Sequence, residues 1–157
     1  MSFPFRAAVI MACAAMPSTS RAADAIVPFT GLVTATCILT VGTPGLLGVN
    51  SDLTTLSSSA SGGVPGNVAV VATGSSFRVS AIAPTGFTIA PPGGDDNVSF
   101  SASYAANGAT TLGETPGSTA SQLNVGLTTV SVNMSAQKAS GAMPAGAYAA
   151  EVIVRCE

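Results

Sequence analysis

From Val27 to Val41 the chain alternates almost without a break. Val27, Phe29, Gly31, Val33, Ala35, Cys37, Leu39 and Val41 take every second position, with Pro28, Thr30, Leu32, Thr34, Thr36, Ile38 and Thr40 between them. Side chains in a strand point to opposite faces with a period of two, so the pattern predicts one strand over 27–41 whose buried face carries Cys37. The other end of the chain repeats the pattern. Tyr148, Ala150, Val152, Val154 and Cys156 share one face, opposite Ala149, Glu151, Ile153, Arg155 and Glu157.

Shorter runs lie between these ends. Phe77, Val79 and Ala81 alternate with Arg78, Ser80 and Ile82, and Val98, Phe100, Ala102 and Tyr104 share a face. Leu123, Val125 and Leu127 precede Val130, Val132 and Met134 in a shifted register, which predicts a bulge or bend at Gly126 or the Thr pair beside it. The glycine- and serine-rich stretches 57–67 and 105–121 read as long connections, and Gly42–Gly45 as a turn. An Ala-rich stretch at 136–150 invites a helix, but Gly141, Pro144 and Gly146 argue against one. About seven short strands with Gly/Pro turns predict an all-β, antiparallel β-sandwich. Its core would be Val, Leu, Ile and Ala, with Phe29, Phe77, Phe87 and Phe100 as the large pieces.

The first residues follow different rules. Met1–Arg6 carry one positive charge, Ala7–Met16 are apolar, and the small residues of PSTSRAADA follow. This is the anatomy of a bacterial-type secretory signal peptide, too short to cross a bilayer as a helix. Residues 1–22 form the leader, with cleavage after Ala22 or, alternatively, after Ala25, and one domain over 26–157 remains. Lipidation at Cys13 is disfavoured by Met11 and by the short apolar run before it. The expected route is export through the inner membrane, with the periplasm in transit and then the cell surface or secretion. No second apolar run is long enough to span a membrane, so an integral membrane protein is not expected. After Ala25 only Arg78, Lys138 and Arg155 are basic, against six acidic residues. With no basic patch, nucleic acid is not an expected partner.

Cys37 and Cys156 are the two cysteines beyond the leader, and in an exported chain they most simply form one disulfide. Both lie on apolar faces of terminal strands. There is no histidine, which removes the commonest general base and metal ligand, and Lys138 has no neighbour in sequence that would lower its pKa. An enzyme is not expected, and no cofactor is implied. Asp95-Asp96-Asn97 is the one dense cluster of oxygen ligands; it reads as an Asx-rich turn rather than a calcium loop, because no further donors follow at ligand spacing. The Asn97 and Asn133 glycosylation patterns carry no weight in a bacterial-type chain, and Thr30, Thr34, Thr36 and Thr40 read as the solvent side of a strand.

The two ends together resemble bacterial fimbrial subunits, the pilins of the chaperone–usher pathway. Phe29-x-Gly31-x-Val33 before Cys37 is similar to the family's first strand, and Gly146 followed by alternating Tyr148, Ala150, Val152 and Val154 is similar to its last. The resemblance implies an immunoglobulin-like sandwich that lacks its final strand. Its groove would be filled by strand addition, first by a periplasmic chaperone and then, at an outer-membrane usher, by another fimbrial subunit. It marks Phe29, Gly31, Val33, Gly146, Tyr148, Val152 and Val154 as groove or strand-exchange residues. Two features depart from the family. The candidate partner of Cys37 is Cys156 rather than a cysteine about forty residues on, and few residues precede Phe29 once the leader is removed. The departures leave two alternatives: a chain that accepts a strand but donates none, or a complete sandwich that needs neither. The function expected is an exported structural or adhesive surface subunit, the alternative a self-contained secreted β-sandwich that binds a glycan or surface ligand.

Overall fold

The computed structural model describes residues 21–157, and every regular element among them is a strand. They are β1 (Cys37–Val41), β2 (Gly48–Val49), β3 (Thr55–Ser57), β4 (Gly66–Ala72), β5 (Arg78–Ile82), β6 (Val98–Gly108), β7 (Leu112–Pro116), β8 (Ser121–Gln122), β9 (Gly126–Lys138) and β10 (Ile153–Cys156). Residues 21–32 form a unit of their own, apart from the folded unit that begins at Val33. The predicted leader falls outside the described residues except at its last positions.

The longest strand, β9, is central. In β9 Thr128, Val130, Val132, Met134 and Ala136 point inward while Leu127, Thr129 and Ser131 point out. Along one side β9 pairs with β6, which carries β7 at its outer edge. Along the other it pairs first with β4 and then with β3; β1 lies outside β4 and β2 outside β3. This seven-stranded sheet faces a three-stranded one ordered β10-β5-β8, and all pairings are antiparallel. An all-β sandwich is therefore what the alternation encodes.

The core between the sheets is small and aliphatic. Val68, Val70, Ala72, Val130 and Val132 from the larger sheet meet Val79, Ala81 and Leu123 from the smaller side. Tyr104 is its largest member and is fully buried. Its hydroxyl lies 2.7 Å from Thr119 O, 3.0 Å from Val79 O and 2.7 Å from Ser121 Oγ, so it donates to a carbonyl while accepting from the serine. A β6 side chain thereby ties the larger sheet to β5 and β8. At the other end of the sandwich Phe87 packs edge-on against Phe100 and Tyr148, each with ring centroids 4.9 Å apart.

Two expectations need correction. The strand over 27–41 begins only at Cys37: residues 21–36 belong to no strand, and Phe29 is 93 % exposed rather than a core residue. The cause is the partner. β1 pairs only with β4, whose ladder ends at Cys37↔Ala72, and Thr73 closes it by donating its N–H to Thr36 O at 2.9 Å and accepting from Thr36 N at 2.7 Å. Upstream of Thr36 no neighbouring edge continues, so an alternating sequence has nothing to bond to. The connection over 105–121 is instead the end of β6, the edge strand β7 and β8, whose polar outward positions hide their strand character. Of the bulge or bend expected near Gly126, the structure shows a bend, at the first residue of β9. Gly126 sits at φ +128°, where only glycine is at ease, so Leu123 points inward and Leu127 outward.

Cys37 and Cys156 are bonded across a sequence separation of 119, with Cα atoms 6.4 Å apart. The bond joins β1, an edge of the larger sheet, to β10, an edge of the smaller. Closing a loop of that length removes chain entropy worth about 4–5 kcal/mol from the unfolded state, an upper figure. Replacing both cysteines by alanine should lower the unfolding free energy by about 2–5 kcal/mol in a urea titration, and non-reducing peptide mapping should recover one Cys37–Cys156 pair. Tyr104→Phe should cost about 1–3 kcal/mol, because the carbonyls it serves lose a donor in the dry core.

Candidate functional site: an open apolar groove

β1 is hydrogen-bonded only to β4 and β10 only to β5, so each leaves one strand edge unpaired within the fold. The disulfide holds these two strands together at one point. Beyond it they separate, and the segments 41–47 and 146–154 become the walls of a cavity of about 480 Å³. Leu56, Val68, Val132 and Met134 form its floor. Val41 is 75 % exposed and Leu46 58 %, large apolar fractions for residues that flank a core. A complete sandwich would cover them; here the cavity leaves them in water.

The last-strand wall is held from behind. A Cβ on Gly146 would come within 2.8 Å of Pro91, so only glycine lets the chain pass that ring. Tyr148 donates its hydroxyl to Pro144 O at 2.7 Å and rests on Phe87. Desolvation at this wall raises the phenol above its ordinary pKa, so it remains a proton donor at neutral pH. Ala149 bridges to Ile89, donating its N–H to Ile89 O at 2.9 Å, while Ala150–Val152 belong to no strand. The floor is satisfied in its own polar groups: Ser58 Oγ donates to Asn133 Oδ1 at 2.9 Å and accepts from Met134 N at 3.0 Å.

Among the described residues Tyr148 is the only ionisable side chain in the lining. An elongated apolar trough bounded by unpaired strand edges suits an extended peptide, with main-chain bonds for affinity and pockets for alternate side chains.

Gly146, Tyr148, Val152 and Val154 all line the groove. Phe29, Gly31 and Val33 do not; they lie in the exposed stretch before β1. Cys37 and Cys156 pack at the edge of the main core and form the joint from which the groove opens. The opposite wall was missed by sequence reasoning, although the apolar pair Leu46-Leu47 directly after the Pro44-Gly45 turn was a signal for it. Asp95 accepts the Phe87 N–H at 3.2 Å, and the Lys138 ammonium donates to Gly93 O at 2.7 Å and Asp96 O at 2.8 Å. These contacts make the loop a self-capped turn whose carbonyls already serve a cationic side chain.

No protein-family model, curated protein or solved structure matches the chain.

The groove separates two kinds of apolar residue. Met134→Ala, in the floor, should cost about 2–4 kcal/mol of unfolding free energy. Phe29→Ser should leave it within about 0.5 kcal/mol, whereas a Phe29 packed in the core would cost several times that. Denaturant titration of the two variants at low protein concentration checks both.

Proposed function

We propose that this protein is an exported structural subunit of a bacterial surface filament, joined to its neighbours by β-strand addition. One observation carries the reading: the fold has a groove shaped for a strand, and the same chain has an exposed alternating segment that its own sheets do not use. Ile26–Thr36 contains no charged residue, and Val27, Phe29, Gly31 and Val33 recur at the period of two that a groove floor reads. Extended, these residues span roughly 35 Å, long enough to run the length of either wall. Pro28 lacks an N–H, so the bonded part of the ladder begins at Phe29. On this reading the Phe-x-Gly stretch itself serves as the donor, because β1 starts only at Cys37, and the chain both accepts and donates.

The leader and the Cys37–Cys156 bond fit export into an oxidising compartment. During transit Val41 and Leu46 need cover, which a periplasmic chaperone strand supplies before the usher and another fimbrial subunit replace it. The role is mechanical rather than enzymatic. A self-contained glycan-binding module is the second reading, favoured by a hydroxyl-rich hollow on the outer face formed by Ser57, Ser101, Ser103, Glu114, Asn133 and Ser135.

A synthetic peptide of residues 24–36 tests the reading. Added to the exported chain at a hundredfold excess over its dissociation constant, it should raise the unfolding free energy by about 2.7 kcal/mol. The same peptide with Phe29→Asp should not. A thermal transition indifferent to both peptides, in a chain that stays monomeric, favours the self-contained module.

A further inference from the structure

We propose that the outer face of the larger sheet carries a second contact for a neighbouring copy, an apolar row made by Ile38, Val71 and Leu127. The proposal rests on the strand-addition reading and adds to it a surface outside the groove. The register places the three residues directly across β1, β4 and β9: Ile38 opposite Val71, and Val71 opposite Leu127. They are 57 %, 37 % and 58 % exposed. The next outward row is Thr40, Ala69 and Thr129, and farther along β9 the outward positions are Ser131, Asn133 and Ser135. The large apolar side chains are thus confined to one end of a face that is otherwise mainly small or polar, with Glu114 in the hollow at its far side. Contiguous exposed apolar residues in such a setting mark a protein contact.

The occupant follows from where the row lies. Thr36 is held to Thr73 by two main-chain-directed hydrogen bonds, so the chain is fixed to the sheet up to that point. Ile38 is the next residue on the same face. A neighbour whose groove holds Val27–Val33 is therefore tethered within three residues of Thr36, about 10 Å of extended chain. At that distance the body of the acceptor meets the end of the sheet where the row sits. β1 and β4 contain no charged residue, nor does β9 before Lys138, so two copies of an acidic chain approach there without repulsion. The second contact turns a flexible tether into a two-point joint and slows the separation of neighbours.

The test uses the full exported chain with Ile38→Thr and Leu127→Thr, substitutions that suit a strand at exposed positions. Two readings are taken: affinity for the free 24–36 peptide, and the rate at which assembled copies dissociate after dilution. The double variant should bind the peptide as the parent does and unfold at the same midpoint. Its assemblies should dissociate on the order of tenfold faster, since interface changes act mainly on the off-rate. Leu127→Met, which keeps the apolar surface, should retain the parent rate. Normal peptide binding with an unchanged dissociation rate in the double variant overturns the contact while leaving strand addition intact. Failure of the parent chain to bind the peptide overturns strand addition, and the contact with it.

Discussion

The Cys37–Cys156 bond is the constraint on which the rest of the structure depends. It ties the edge of one sheet to the edge of the other at a single point, and no strand occupies the space beyond. Without the bond, β1 would be held only by its ladder to β4 and β10 only by four paired residues of β5. With it, the two strands act as arms of one clamp, and the apolar walls at Val41 and Leu46 stay open to water. Edge strands are ordinarily protected by shortness, charge or cover. Here neither Val41 nor Leu46 has such protection, so the fold's stability is coupled to whatever fills the groove.

That coupling has a thermodynamic consequence. A ligand that binds only the folded chain adds its binding free energy to the folding free energy, and the apparent stability then depends on its concentration. On the strand-addition reading, the chain is less stable with the groove empty than with a strand in it. Polar anchors lie away from the groove: buried Tyr104 spans the sheets from β6, and at the surface Asp95 and Lys138 fix the loop over 91–97.

The fold class was legible because the deciding signal, a period of two, is local. Val130, Val132, Met134 and Ala136 alternate strongly enough to announce the central strand, and Val152, Val154 and Cys156 the last one. Pairing is not local. Nothing in 27–41 itself says that β4 ends opposite Cys37, so a segment free of its own sheets looked like the first half of a strand. One wall of the site was legible from Gly146 and the alternation after it; the other, at 41–47, depends on where the chain goes after Pro44-Gly45. The edge strand β7 was hidden because Gly113, Glu114 and Thr115 face solvent and carry no apolar rhythm.

Hydrogen exchange read peptide by peptide tests the central claim most directly. In the dilute chain, amides of 26–35 and of Ala150–Val152 should exchange rapidly, since neither stretch has a strand partner. On assembly both should become protected together, at the same protein concentration and with the same kinetics, because each supplies the partner of the other. Assemblies in which 26–35 still exchanges as fast as in the dilute chain would contradict the account.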